Sequence, residues 1–176
     1  SHYDGATALA EAAILAFDHH RGKRRKIVLS PGIHPHYRQV VRTYMQGVDL
    51  RIVGDEALAN DTAAITRIVD ADTMMVAVQY PDFFGRIQDF TALGQAAHAA
   101  GALLCVVVNP LALGLLRPPS EFGADVVVGD GQPLGIPLSY GGPYLGIFTT
   151  RKDLVRKMAG RLVGETRDSR GQRGFV

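Results

Sequence analysis

Six histidines, one cysteine, four lysines and two glycine-rich segments are the parts of this 176-residue chain whose residue types could do chemistry. The histidines (His2, His19, His20, His34, His36, His98) lack the HExxH spacing that sets two imidazoles on one helix face around a metal. His34 and His36 flank Pro35, where a solvated loop is favoured over metal ligation. His98 lies in an alanine-rich stretch and reads as a partly buried packing residue. Cys105 sits inside ALLCVVV without a histidine neighbour, which predicts a buried, inert thiol. No segment matches GxGxxG or the loop ending in Gly-Lys-Ser/Thr, so dinucleotide and nucleoside-triphosphate chemistry is not expected.

Two segments carry more specific patterns. In YDGATA (3–8), Gly5, Ala6 and Thr7 stand at a helix start, where free amides, the positive helix end and a hydroxyl can hold an anion. A capped structural helix fits the same spacing. GDGQPLGIPLSYGGPYLG (129–146) is too rich in glycine and proline for regular structure, and reads as a functional loop or a covering loop at a subunit contact. RGKRRK (21–26) packs five positive charges into six residues and could attract phosphates. It reads more simply as a solvated turn, because no aromatic residues interleave it for stacking on nucleic acid.

The elements that position these residues follow from hydrophobic spacing. Helices are predicted over 7–18, with Asp4 or Thr7 as cap, over 36–47 ending on Gly47, over 61–69, over 90–100 capped by Asp89, and over 151–160. Short apolar bursts at 27–30, 50–53, 74–81, 102–108, 124–130 and 144–150 predict strands. Strands apolar on both faces and separated by helices describe an α/β three-layer sandwich with a mostly parallel sheet. Pro133, Pro137, Pro143 and the Gly141–Gly142 pair leave no crossover helix before the last strand, which should therefore run antiparallel. Three strands end at Ser30-Pro31, Tyr80-Pro81 and Asn109-Pro110, so the chain turns at the carboxyl edge, where open α/β sheets bind ligands.

Composition narrows the class further. With 47% apolar and 20% charged residues the chain suits one packed domain rather than disorder. No apolar run reaches the roughly 18 residues of a membrane span, and the start lacks a signal peptide's pattern. The single cysteine excludes an intrachain disulfide framework and fits a cytoplasmic location. Residues 1–150 carry eleven basic and fourteen acidic side chains, and 151–176 carry eight and three. The expected layout is a domain over 1–160 followed by a basic segment, 161–176, leading out of it.

SxYDGATA (1–8), HPHYRQVVRTY (34–44), QYPDFFGRIQD (79–89), GDGQPLGIPLSYGGPYLGIF (129–148) and the terminal GETRDSRGQRGFV together resemble the glycine-cleavage-system P-protein, glycine dehydrogenase (decarboxylating), in its amino-terminal half or separate subunit 1. The resemblance runs along the whole chain and implies the aspartate-aminotransferase-like fold type I of pyridoxal-phosphate enzymes, here its large domain. Known members extend beyond these residues on both sides.

In that fold a lysine after the strand that ADVVVGD resembles holds the cofactor as a Schiff base. The chain has no lysine from 27 to 151, and the resemblance puts Gln132 at the lysine position. It also puts Asn109 where the fold usually has the aspartate that supports a pyridinium. No catalytic residue is then expected, and Gly5, Ala6 and Thr7 would be a remnant anion site. The implied activity belongs to a pair: subunit 2 carries lysine and pyridoxal phosphate, decarboxylates glycine and passes the aminomethyl group to the lipoyl arm of H-protein. This subunit would supply a wall of that site through Tyr140, Gly141 and Gly142. The alternative is a catalytically inactive scaffold or an anion-binding regulatory module. No nucleic acid, membrane or metal is expected.

Overall fold

The computed structural model describes residues 2–55, 61–142, 144–160 and 163–176. The helices are α1 (Gly5–His19), α2 (Pro35–Met45), α3 (Thr62–Arg67) and α4 (Thr91–Ala99). The strands are β1 (Lys26–Leu29), β2 (Arg51–Val53), β3 (Thr73–Tyr80), β4 (Leu103–Val108), β5 (Val126–Asp130) and β6 (Gly146–Thr150). A separate ribbon pairs β7 (Glu165–Arg167) with β8 (Arg173–Phe175).

The sheet order is β2-β1-β3-β4-β5-β6. All neighbours run parallel except β5 and β6, which pair antiparallel, as the proline-broken connection requires. One apolar layer, with Leu9, Leu15, Leu29, Val107 and Val128, joins one sheet face to α1 and α2. The other, with Val76, Val78, Phe90, Leu93, Leu104 and Phe122, joins the opposite face to α3 and α4. Helix α1 buries Ala8, Ala10, Ala12, Ala13 and Ala16 completely, so its backbone can approach the sheet closely while keeping high helix propensity. Its start is a capping box: Asp4 Oδ1 accepts the Thr7 amide at 2.7 Å, and Thr7 Oγ1 accepts the Asp4 amide at 3.1 Å.

Three expectations are corrected. The basic turn is not simply solvated: Lys26 is buried, donates to the Ile68 carbonyl at 2.8 Å and pairs with Asp70, while Arg24 donates to the carbonyls of Thr73 and Ala100 at 2.7 Å each. These cations satisfy carbonyls at the amino edge of the sheet and at the end of α4, where cations also favour the helix dipole. Residues 152–157 form a 3-10 turn rather than a helix; only Leu154 is buried there, so no apolar stripe exists for a longer helix to bury. Helix α2 ends at Met45, without a left-handed glycine at Gly47, and begins with His34 as its cap.

Candidate functional site

Strand register decides which side chains meet at the carboxyl edge. Gln79 pairs with Val107, and Val107 pairs with Val128. Ala77, Val107 and Val128 all belong to the layer under α1. Because strand side chains alternate in direction, Gln79, Asn109 and Asp130 emerge on that same face at or just past the ends of β3, β4 and β5. Together with His34 and Tyr37 they line a cavity of about 170 Å³, completed by Pro81, Val107, Val108 and Pro133. It opens beside a broader groove of about 560 Å³ that shares His34, Tyr37 and Asp130.

Hydrogen bonds fix the polarity of this cavity. His34 Nδ1 accepts the His36 amide at 3.2 Å, so the neutral ring carries its proton on Nε2. Burial, followed by the nearby His36 and Arg38, holds the His34 pKa below the ordinary imidazole value. Gln79 Oε1 accepts the His34 amide at 2.9 Å, and Asn109 Oδ1 accepts the Leu111 amide at 3.0 Å. Both side-chain NH2 groups are thereby left as donors. Asp130 Oδ1 accepts the Gln132 amide at 2.8 Å, and its Oδ2 accepts the Gly5 amide at 3.2 Å. Burial, and then the charges of Asp130 and Asp4, push the Tyr37 hydroxyl well above its usual pKa, so it stays protonated.

An aromatic rim adjoins the cavity. Past the cis Tyr80-Pro81 peptide, Asp82 accepts the amides of Phe84 and Arg86, both at 2.9 Å, and the Arg86 Nε at 3.0 Å. That carboxylate holds a tight loop, from which the Phe83 ring reaches 4.9 Å from the His34 ring. Phe84 and Ile87 are left exposed.

The residues singled out in the sequence are only partly brought together. Asn109 lines the cavity, Gly5 donates its amide to the Asp130 carboxylate that lines it, and Ala6 lines the broader groove, whereas Thr7 gives its amide to Asp4 and lines a separate pocket with His2, Tyr3 and Glu11. Gln132 opens the 3-10 turn after β5, with its Nε2 turned back onto the Ile136 carbonyl at 2.6 Å. Tyr140 is fully exposed, and Ser139, Tyr140, Gly141 and Gly142 form a run of positive φ angles. His34, expected as a solvated loop residue, instead caps α2 and lines the cavity. Tyr37, Gln79 and Asp130 were missed as site residues, although the period-2 continuation Ala77/Gln79 and Val128/Asp130 carried the signal. His98 is half-exposed and bonds Asp125 at 2.8 Å. Cys105 is fully buried and burial raises its pKa, which suits an inert thiol. No helix among the described residues is long and apolar enough to cross a membrane.

This sheet, with its antiparallel edge strand and its helix start at the carboxyl edge, is of the aspartate-aminotransferase-like fold type I class. Two solved structures share that fold at 16% identity: a Burkholderia pseudomallei sphingosine-1-phosphate lyase, with TM-score 0.64 over 99% of this chain and 42% of its own, and a Lactobacillus plantarum cystathionine gamma-lyase, with TM-score 0.65 over 88% and 39%. The family is narrower: the model "Glycine cleavage system P-protein" matches residues 1–176, and the chain belongs to that family. It is 54% identical to "Probable glycine dehydrogenase (decarboxylating) subunit 1" of Thermomicrobium roseum, over 100% of this chain and 40% of that protein. The Brevibacillus brevis protein of the same name is 50% identical, over 100% and 39%. A crystal structure of glycine decarboxylase (P-protein) of the glycine cleavage system, in inhibitor-bound form, superposes with TM-score 0.90 at 44% identity, over 100% of this chain and 39% of that chain. The chain thus spans about 40% of the length of the curated relatives it matches.

Pyridoxal phosphate, which this fold class suggests, does not fit the cavity residues. No lysine is among the described residues lining the cavity, the neutral Asn109 stands at the end of β4, and the Asp130 carboxylate already holds the first amide of α1.

Proposed function

We propose that the chain is the sheet-bearing part of a glycine dehydrogenase (decarboxylating) subunit 1 and acts as the member of the pair that forms no imine. The observation that carries this reading is the placement of the four lysines. Lys23 and Lys26 lead into the amino end of β1, and Lys157 bonds Asp18 near the end of α1. Lys152 follows Thr150, which pairs with Val126 at the start of β5. Every lysine amine therefore lies at the edge opposite the cavity, and none is placed for imine chemistry.

In this reading a homologous subunit 2 holds pyridoxal phosphate, whose role when bound is to take up the electrons released as glycine loses carbon dioxide. The product aminomethyl group passes to the lipoyl H-protein. Gln132 occupies the place of the imine-forming lysine and Asn109 that of the ring partner. Tyr140, Gly141 and Gly142 form part of the wall facing subunit 2, supported by the full exposure of Tyr140 on a turn of positive φ angles. The domain covers 1–160, and 161–176 leads out of it, with the β7–β8 ribbon packed on itself. A cytoplasmic location accords with the single buried thiol.

The test is glycine–bicarbonate exchange with the full-length subunit and a lysine-bearing subunit 2. Exchange should require both proteins, and borohydride should fix pyridoxal phosphate to subunit 2 alone. Full exchange without this subunit, or a pyridoxyl group fixed at its carboxyl edge, would overturn the reading.

A further inference from the structure

The cavity at the ends of β3, β4 and β5 has a chemistry of its own. Its unused donors are neutral: the NH2 groups of Gln79 and Asn109, and the Nε2–H of His34. Asp130 is the only charged residue among the described residues lining it. Each Asp130 oxygen accepts one amide and retains a further lone pair. The positive end of α1 is already met by Asp4 and Asp130, so it adds little attraction for another anion.

A free anion of any size would meet the Asp130 charge, and a simple cation would leave the amide donors unmatched. A molecule with a carboxylate at one end and an ammonium at the other satisfies both and brings no net charge into a partly buried site. The volume, about 170 Å³, is below the roughly 300–1,000 Å³ of drug-sized sites and suits a molecule of few heavy atoms. The broader groove sharing His34, Tyr37 and Asp130 gives it a path from solvent.

We infer that this cavity binds a small zwitterion of the α-amino-acid type, its carboxylate taken by the amides of Gln79 and Asn109 and its ammonium placed beside Asp130. Its chemistry differs from that of an imine-forming centre, because no amine is among the described residues lining it. It also differs from an anion site at Gly5, Ala6 and Thr7, since two of those amides are already spent on carboxylates.

Calorimetric titration of the full-length subunit, free of its partner, with glycine, acetate, methylammonium and inorganic phosphate tests the inference. Glycine should bind saturably, with acetate and methylammonium each weaker by about tenfold or more. Asn109→Leu should weaken glycine and acetate, and Asp130→Asn should weaken glycine and methylammonium. Should Asp130→Asn fail to fold, Asn109→Leu decides alone. Absence of saturable glycine binding, phosphate or acetate binding as tightly as glycine, or glycine binding untouched in every folded variant would each overturn it. The titration uses no partner subunit, so its outcome is separate from that of the exchange assay.

Discussion

The carboxylate of Asp130 accepts the amide hydrogen of Gly5 at 3.2 Å, joining the end of β5 to the start of α1 across 125 residues of sequence. The contact closes the end of the sheet that the cavity occupies, and it couples a helix terminus to a strand terminus through one charge-assisted bond. It is also tightly enclosed. A Cβ on Gly5 would stand 2.4 Å from the Tyr37 hydroxyl and 3.0 Å from the Asp130 amide nitrogen.

Gly5→Ala therefore sets two effects against each other. Replacing a helical glycine with alanine normally gains roughly 0.5–1 kcal/mol. Overpacking against Tyr37 and the fixed Asp130 backbone costs about 1–3 kcal/mol. The clash wins, and urea denaturation should show a net loss. Tyr37→Phe in the same chain should recover part of it, because the hydroxyl is the nearest atom.

Asp130→Asn removes the charge at the start of α1. A loss of about 0.5–1 kcal/mol is expected from the helix dipole and the weakened bond to Gly5. The Tyr37 hydroxyl should titrate at lower pH than in the parent, because Asp130 is one cause of its raised pKa. Ultraviolet difference titration reads this directly. An unchanged Tyr37 titration would mean that burial and the Asp4 charge suffice to hold the hydroxyl protonated.

At the opposite edge, the buried Asp125 carboxylate accepts the Leu104 amide and the His98 Nε2, both at 2.8 Å, and pairs with Arg151 at 2.9 Å. Asp125→Ala leaves the buried Leu104 amide without its acceptor. Stability should fall by about 2–3 kcal/mol, since His98 and Arg151 are exposed enough to regain water. His98→Ala and Arg151→Ala should each cost under about 1 kcal/mol. Chemical denaturation of the three variants checks the ordering.

Three histidines give the fold an acid-side pH dependence. Burial is the largest cause lowering the pKa of His2, His20 and His34 in the folded chain. Their folded pKa values lie below the unfolded value of about 6.5, so the unfolded state binds more protons between the two. The stability they contribute is present above that unfolded value and is lost as pH falls through the lowered folded values. Denaturation midpoints should drop below about pH 6.5. Removal of the His20 ring should flatten the slope and also remove its bond to the Met74 carbonyl.

Tyr140 offers a test of the proposed partner surface. Its side chain is fully exposed, so Tyr140→Ala should change the unfolding free energy of the full-length subunit by less than about 0.5 kcal/mol. The same substitution should weaken association with subunit 2, as sedimentation of the mixed proteins would read.

Much of the architecture was legible from the chain alone. Apolar bursts alternating with alanine-rich helical stretches determined the layered sheet, and the prolines and paired glycines of 131–143 determined the antiparallel last strand, because these are local backbone constraints. The absence of lysine from 27 to 151 is likewise a property of the sequence. The cavity was decided only by tertiary structure: the pairing of Gln79 with Val107 and of Val107 with Val128 sets which strand-end side chains share a face, and that register depends on contacts between distant segments. The basic run was misread for the same reason. Lys26 looks solvated beside four other charges, and only the fold supplies Asp70 and the Ile68 carbonyl that bury it. Asp130 reads as one acidic residue in a glycine-rich loop until packing brings the Gly5 amide to it. Spacing along a chain reports local preference, whereas the partner of a charge and the wall of a cavity are fixed by which segments the sheet brings together.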